Sequence, residues 1–307
     1  MFEIKKYPEL IYHLKKISNI YHDKSHEIII FCPYCNDATR KSNPTHGHLY
    51  ISTNSPVFYC FRCNASGTIL RLLLDTNFDD DNILKNISKQ ISKSTKIIYH
   101  VVSSYQNNTI ITKEYLHDYL RFKKDNKSDF LLFERYISKR LGIKNGIRFL
   151  ILPGYEIIKT QKYLSCIFKN SEQKISTVKI INLNTYKNYS EYYYFQEKNL
   201  TLFKQIVITE GVFDLLNLYI YSNQFEESFF ISANGKNYIG VIEYLMGDGL
   251  IFGNYCINII FDSDYNFNPL LFKIKKFISY INSNLSVKFF KPLIGKDTGV
   301  FPGVLEI

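Results

Sequence analysis

The sequence has no tryptophan and only two methionines, so aromatic packing falls to 25 tyrosines and 24 phenylalanines. It has no run of 18 or more apolar residues, so no transmembrane helix is expected. Its first residues, Met1-Phe2-Glu3-Ile4-Lys5-Lys6, lack the apolar core of a secretory signal. The expected location is therefore cytoplasmic, with no membrane partner and with cysteines kept reduced. No internal repeat is found. There is no Walker P-loop either: Gly295-Lys296 is followed by Asp297 rather than Ser or Thr, so no motor ATPase is expected. Cysteine is scarce, at six residues, but four of the six fall in a pattern.

At 307 residues and 46% hydrophobic content the chain is long enough for about two domains with real cores. The formal net charge is +10, and its placement is uneven. Residues 1–75 carry 9 basic and 6 acidic side chains, 76–205 carry 22 and 12, and 206–307 carry 7 and 10. A basic middle beside an acidic last third points to a polyanion led toward a carboxylate-rich centre, against the plainer reading of a solvated lysine-rich surface.

Cys32-Pro33-Tyr34-Cys35 and Cys60-Phe61-Arg62-Cys63 are two C-x2-C knuckles with 24 residues between Cys35 and Cys60. His48-Leu49-Tyr50-Ile51-Ser52 alternates like a strand, and Val57-Phe58-Tyr59 leads into the second knuckle. Two knuckles joined by a hairpin make a zinc ribbon, with Cys32, Cys35, Cys60 and Cys63 holding a structural Zn²⁺ that does no chemistry. The alternatives are unrelated buried cysteines or two disulfides; His46 or His48 could also replace a ligand. Cys166 and Cys256 are isolated and read as buried apolar residues.

Residues 1–20 read as an amphipathic helix with Leu10, Ile11, Leu14 and Ile17 on one face. With the ribbon they form an N-terminal domain, 1–78. A linker is expected over 79–110, opening on Asp79-Asp80-Asp81 and carrying at most a short helix; the triplet could bind metal, though a solvated charge run is the simpler reading. A basic subdomain spans 111–204. It opens with helices near 112–123 and 129–141, displaying Lys113, Arg121, Lys123, Lys124, Arg135, Lys139 and Arg140. Strands are expected at 149–152, 166–168, 178–181 and 192–195. Such a basic, aromatic-rich block suits single-stranded nucleic acid, through phosphate contacts and base stacking.

The last domain, 205–307, alternates strand and helix, which implies a parallel sheet covered by helices. Ile206-Val207-Ile208 is a buried strand ending at Thr209-Glu210-Gly211, and Asp214 lies one turn into the next helix. Phe229–Ser232 is followed by Ala233-Asn234-Gly235. Ile257–Phe261 ends at Asp262-Ser263-Asp264, and Val287–Phe290 runs toward Lys296 and Asp297. Glu210, Asp262 and Asp264, brought together at strand ends, suit a hard cation, Mg²⁺ or Mn²⁺. Asp214 would support them, Asp297 would complete the acidic group and Lys296 would contact a triphosphate. Such a cluster serves phosphoryl or nucleotidyl transfer. The expected class is thus α/β, multidomain α+β overall.

Glu210-Gly211-Val212-Phe213-Asp214 resembles the E-G-x-x-D element of the Toprim domain, and Asp262-Ser263-Asp264 resembles its D-x-D element. With the four-cysteine ribbon in front, the order of parts resembles a DnaG-type DNA primase, most nearly the single-chain primases of T-even-like bacteriophages. The middle, about 80–200, matches only in general character. The resemblance implies a ribbon that helps select the initiation site, Toprim carboxylates that bind catalytic metals, and a basic middle that holds template. It implies RNA primer synthesis from ribonucleoside triphosphates on single-stranded DNA, in the host cytoplasm if the source is viral. Two departures stand out. Thr298-Gly299 follows Asp297 where the family often has a further acidic pair, and the chain ends ten residues after Asp297. Any helicase-docking domain is then expected to be missing or very short, and the replicative helicase to be a separate chain. Two other readings stay open: a Toprim nuclease, and a non-catalytic zinc-ribbon replication factor that binds nucleic acid.

Overall fold

The computed structural model describes residues 2–35, 47–63, 65–102, 113–143, 146–182, 185–188, 191–247, 253–263, 268–282, 284–294, 298 and 303–307, with backbone alone for 92–102 and 185–188. The chain forms two compact units. One comprises Met1–Ser103, Glu243–Phe252 and Pro269–Ser283; the other comprises Ser104–Ile242, Gly253–Asn268 and Asn284–Ile307.

In the first unit the expected N-terminal helix is shorter than its amphipathic stretch, because Pro8 fixes its first turn: α1 is Pro8–Ile17. Leu10 and Leu14 are fully buried. Strands β1 (Tyr21–Asp23), β2 (Glu27–Ile30), β3 (Leu49–Ser52), β4 (Val57–Cys60) and β5 (Ser66–Thr68) form one sheet in sequence order, each antiparallel to the next. Thr68 then caps α2 (Ile69–Asp75), its side chain accepting from the Arg71 amide at 3.3 Å.

Within the stretch expected as a linker with at most a short helix, 79–110, lies a 22-residue helix, α3 (Asp81–Val102). The acidic triplet explains its start. Asp80 Oδ1 accepts from the amides of Asn82 and Ile83, both at 3.0 Å, as an N-cap does. Asp79 and Asp81 meet the Lys276 ammonium at 3.3 and 3.2 Å, so the triplet anchors a helix.

The second unit begins with α4 (Lys113–Asp125) and α5 (Lys127–Leu141), ended by Gly142 in the left-handed region at φ 65°. Strands β6 (Ile151–Ile158), β7 (Gln161–Lys169), β8 (Ile175–Ile180) and β9 (Thr185–Asn188) form an antiparallel meander. The fourth strand expected at 192–195 is absent. Tyr193 makes one isolated bridge to Ser232, while Tyr193, Tyr194 and Phe195 are buried as anchoring side chains.

The remaining sheet has the order β11-β10-β12-β13-β14. It consists of β10 (Gln205–Thr209), β11 (Ser228–Ser232), β12 (Cys256–Ile260), β13 (Ser286–Pro292) and β14 (Val304–Glu306). The first four run parallel, and β14 lies antiparallel at the β13 edge. Helices α6 (Val212–Tyr221), α7 (Tyr238–Met246) and α8 (Asn268–Ile281) lie between strands in sequence. Strands this apolar, with Ile206 to Ile208 and Ile257 to Ile260 at most 3% exposed, are the mark of a parallel sheet. On one face Val207, Phe230, Ile260 and Phe290 join α6 and the α4–α5 hairpin in a single core with Phe133, Phe168 and Phe213. The class is thus mixed α/β. Among the described residues no helix is long and apolar enough to cross a membrane.

Candidate functional site

Thr209 closes β10, fully buried, and its hydroxyl donates to the Gly211 carbonyl at 2.9 Å. That bond folds the chain sharply out of the sheet and into α6. Glu210 sits at the corner, half-buried. Its carbonyl is fixed from the neighbouring strand end, accepting from the Gly235 amide at 2.9 Å and the Ser232 hydroxyl at 3.3 Å. Asn234 and Gly235 make this possible by adopting φ of 51° and 128°. The Ser232-Ala233-Asn234-Gly235 turn thus positions Glu210 through its backbone.

Gly211 is the N-cap of α6, with extended φ and ψ that any residue can adopt. Its lack of a side chain matters for space: a Cβ there would lie 2.5 Å from Asp214 Oδ2. Asp214 occupies the first turn of α6, where the helix dipole favours a negative charge. Parallel pairing of Ile208 with Ile259 brings Glu210 level with Phe261, so Asp262 begins one residue beyond. The Phe261 amide, bonded to the Phe290 carbonyl at 3.0 Å, holds that strand end against β13.

A residue that the sequence did not single out reports on all three carboxylates. Tyr238, at the start of α7, is fully buried and donates its hydroxyl to the Ile260 carbonyl at 3.1 Å. Its ring meets Phe261 edge-on at 5.1 Å. Burial drives its phenol well above the ordinary pKa, and the negative charges of Glu210, Asp262 and Asp214 push the same way. These three carboxylates therefore lie within electrostatic reach of one hydroxyl at the carboxyl ends of β10 and β12. Asp264, Lys296 and Asp297 lie outside the described residues.

In the ribbon the four expected cysteines do converge. The sulfurs of Cys32, Cys35, Cys60 and Cys63 all lie within 4.8 Å of one another, with none in a disulfide. Cys32 and Cys63 sulfurs are 3.7 Å apart, and Cys35 and Cys60 sulfurs are 4.0 Å apart. Thiolates ~2.3 Å from a tetrahedral zinc are about 3.8 Å apart, so this geometry is that of a zinc site. Burial acts to raise the Cys60 thiol, while the amides of Cys63 and Arg62 and the Cys32 and Cys63 side chains lower it, and the net shift is downward. Burial pushes Cys35 up to about 11. Among the described residues this is the one set of three or more His, Cys, Asp or Glu side chains whose ligand atoms are close enough to share an ion. His48 is not part of it, Glu210, Asp214 and Asp262 do not form a second set, and His46 lies outside the described residues.

A buried polar network braces the first knuckle. Tyr34 stacks on Phe58 at 5.5 Å and donates to Asp75 at 2.9 Å, and Arg71 lies over the Tyr34 ring at 5.5 Å. Arg71 reaches Asp75 and Glu243 at 3.5 and 3.6 Å and donates to the Ser66 carbonyl at 2.9 Å. Glu243 accepts from the Thr68 amide and hydroxyl at 3.0 and 2.5 Å. Burial outweighs the nearby guanidinium and raises its carboxyl to about 7.

The outer face of the ribbon sheet carries a second feature missed in the sequence. Tyr50 and Tyr59 are cross-strand partners, and Phe61 meets them edge-on at 4.8 and 4.9 Å. Phe61 is 67% exposed and Tyr59 39%. The alternation in β3 and β4 was the signal: with Leu49, Ile51, Phe58 and Cys60 inward, Tyr50 and Tyr59 must face out.

No protein-family model matches the chain, and no characterised protein matches it in sequence. Among solved structures it is similar to the zinc-binding and RNA polymerase domains of the Aquifex aeolicus primase. The likeness covers 97% of this chain and 80% of the other, at 13% identity and a TM-score of 0.30. A likeness of that size assigns no function.

Proposed function

We propose that this chain is a DNA primase, making short RNA primers on single-stranded DNA by divalent-metal-dependent nucleotidyl transfer during replication. The observation that carries this reading is the placement of Glu210 and Asp262 just past the ends of the adjacent parallel strands β10 and β12, with Asp214 in the first turn of α6, in a chain that also holds a four-thiolate cluster. The donor set is all carboxylate oxygen and fits Mg²⁺ or Mn²⁺. Glu210 and Asp262, with Asp264, would hold the metal, which supplies Lewis-acid activation of a 3′-hydroxyl and of the α-phosphate it attacks. Asp214 keeps its place at the α6 N-terminus through the space that Gly211 leaves. Lys296 and Asp297 would act on the incoming triphosphate.

The cations exposed on α4 and α5, among them Lys113, Lys123, Lys124 and Arg135, suit the phosphates of a template strand. The Tyr50–Tyr59–Phe61 cluster suits stacking of its unpaired bases, giving the ribbon a part in choosing where synthesis starts. A separate replicative helicase and a bacteriophage-type single-chain organisation complete the proposal.

The test is direct. Purified chain with Mg²⁺, single-stranded templates of varied sequence and labelled ribonucleoside triphosphates should yield short RNA, and Asp262→Asn should abolish it. Cleavage of end-labelled DNA without nucleotides, and no RNA on any template, would replace the primase reading with a nuclease.

A further inference from the structure

The parallel sheet carries a concave surface at the end opposite Glu210 and Asp262. A cavity of about 520 Å³ opens where β10, β12 and β13 begin. Gln205, Cys256 and Ser286 are register partners along its lower row, and Asn258 and Lys288 are partners in the next. They share the face that α6 packs against. There Val207, Phe230, Ile260 and Phe290 are buried in the core, while Gln205, Cys256, Ser286 and Lys288 keep exposed surface at the cavity and Asn258 lies buried among them.

The composition of this surface is unusual for its position. β12 is an inner strand of a parallel sheet, where apolar residues are the default, yet its centre is Asn258, 1% exposed. A buried carboxamide is costly unless its hydrogen bonds are made. Asn258 Nδ2 donates to Gln205 Oε1 at 2.8 Å, and Asn258 Oδ1 accepts from the Cys256 thiol at 3.6 Å. An amide has two donor hydrogens and two acceptor lone pairs, so Gln205, the half-exposed member of the pair, has hydrogen-bonding capacity beyond its bond to Asn258. Gln224 adds another carboxamide at the rim. Tyr255 supplies aromatic surface, and Lys204 and Lys288 stand at the opening.

Side-chain carboxamides match the adjacent donor and acceptor edges of a nucleobase, aromatic faces stack on it, and ammonium groups meet its phosphate. We propose that this cavity is a nucleotide-binding site, taking one mononucleotide with its base on Gln205, which the buried Asn258 orients, and its phosphate toward Lys204 and Lys288. The volume is in the ~300–1,000 Å³ range of small-molecule sites. Lys288 is held by Glu306 and Lys204 by Glu227, each at 3.1 Å, and such exposed pairs exchange readily for a phosphate. Glu210 lies five residues along the strand from Gln205, about 17 Å away at the rise of a β-strand. A nucleotide in the cavity therefore does not reach the carboxylates. It is an effector, and its binding does not depend on the primase proposal.

The full, zinc-loaded chain should be titrated calorimetrically with AMP, GMP, CMP and UMP, without added Mg²⁺, and with inorganic phosphate as the control. At least one monophosphate should bind saturably, with Kd of about 10 µM to 1 mM, and more tightly than phosphate. Ser286→Trp, an exposed substitution that fills the cavity, and Lys288→Ala should each weaken binding, the former by ~tenfold or more, while Asp262→Asn should leave it unchanged. The proposal is overturned if no monophosphate saturates, if phosphate binds equally well, or if binding survives Ser286→Trp and is lost in Asp262→Asn.

Discussion

The Tyr238 hydroxyl donates to the carbonyl of Ile260, two residues before Asp262, and so ties the start of α7 to the strand end that carries the carboxylate. Tyr238→Phe keeps the ring against Phe261 and removes only this bond. It should lower stability by about 1–3 kcal/mol, because a buried carbonyl loses its partner. Synthesis should fall far less than in Asp262→Asn. Because burial and three carboxylates hold the phenol well above its ordinary pKa, Tyr238 stays neutral, and replacing it should add or remove no inflection in the pH profile below ~10. Urea unfolding and a pH–rate series check both points.

Gly211→Ala tests the position of Asp214. The backbone there accepts alanine, so the fold should survive, but the new methyl group would meet Asp214 Oδ2 at 2.5 Å and push the carboxylate aside. Misplacement on this scale costs on the order of 100-fold in rate. Unchanged thermal unfolding with a large loss of nucleotide incorporation is the expected pair of results.

Glu243 gives the first unit a pH dependence. Its carboxyl is raised from 4.5 to about 7 by burial, so the folded chain retains a proton that the unfolded chain gives up. The stability this group contributes is full below pH ~4.5, falls as pH rises, and is lost above about 7. Glu243→Gln should flatten that slope. Denaturation midpoints from pH 4.5 to 8 measure it, and a slope identical in both proteins would remove Glu243 as its source.

Zinc should be bound at one ion per chain by atomic absorption. Cys60→Ser should lose the ion and the sheet of the ribbon with it, since metal affinity is folding energy in such modules. Cys166→Ser and Cys256→Ser should keep the zinc.

Phe61→Ala removes the most exposed ring of the ribbon cluster and should weaken single-stranded DNA binding by ~1–3 kcal/mol. At 67% exposure the ring contributes little to the core, so stability should hold. Fluorescence anisotropy with a labelled oligonucleotide distinguishes the two effects.

The sequence was most legible where spacing and chemistry coincide. The C-x2-C pair located all four sulfurs, and apolar runs ending in Glu210 and Asp262 located two adjacent strand ends. It was least legible where partners distant in the chain decide the outcome. Asp79-Asp80-Asp81 looked like a solvated run because Lys276, which holds its ends, comes nearly 200 residues later. Tyr192–Phe195 has strand propensity, but its rings were needed as anchors, and Tyr193 bonds back to the Phe149 carbonyl. Tyr238 was not singled out, since nothing local reveals that its hydroxyl reaches the Ile260 carbonyl at the strand end before Asp262. The edge strand β14 gave no periodic signal in three residues.

The most direct measurement is Mn²⁺ binding, followed by electron paramagnetic resonance on zinc-saturated protein. If Glu210 and Asp262 share a cation, the wild type takes up Mn²⁺ beyond the zinc, and Glu210→Gln and Asp262→Asn each weaken it by ~tenfold or more. Equal Mn²⁺ affinity in the wild type and both variants would contradict a shared metal at these strand ends.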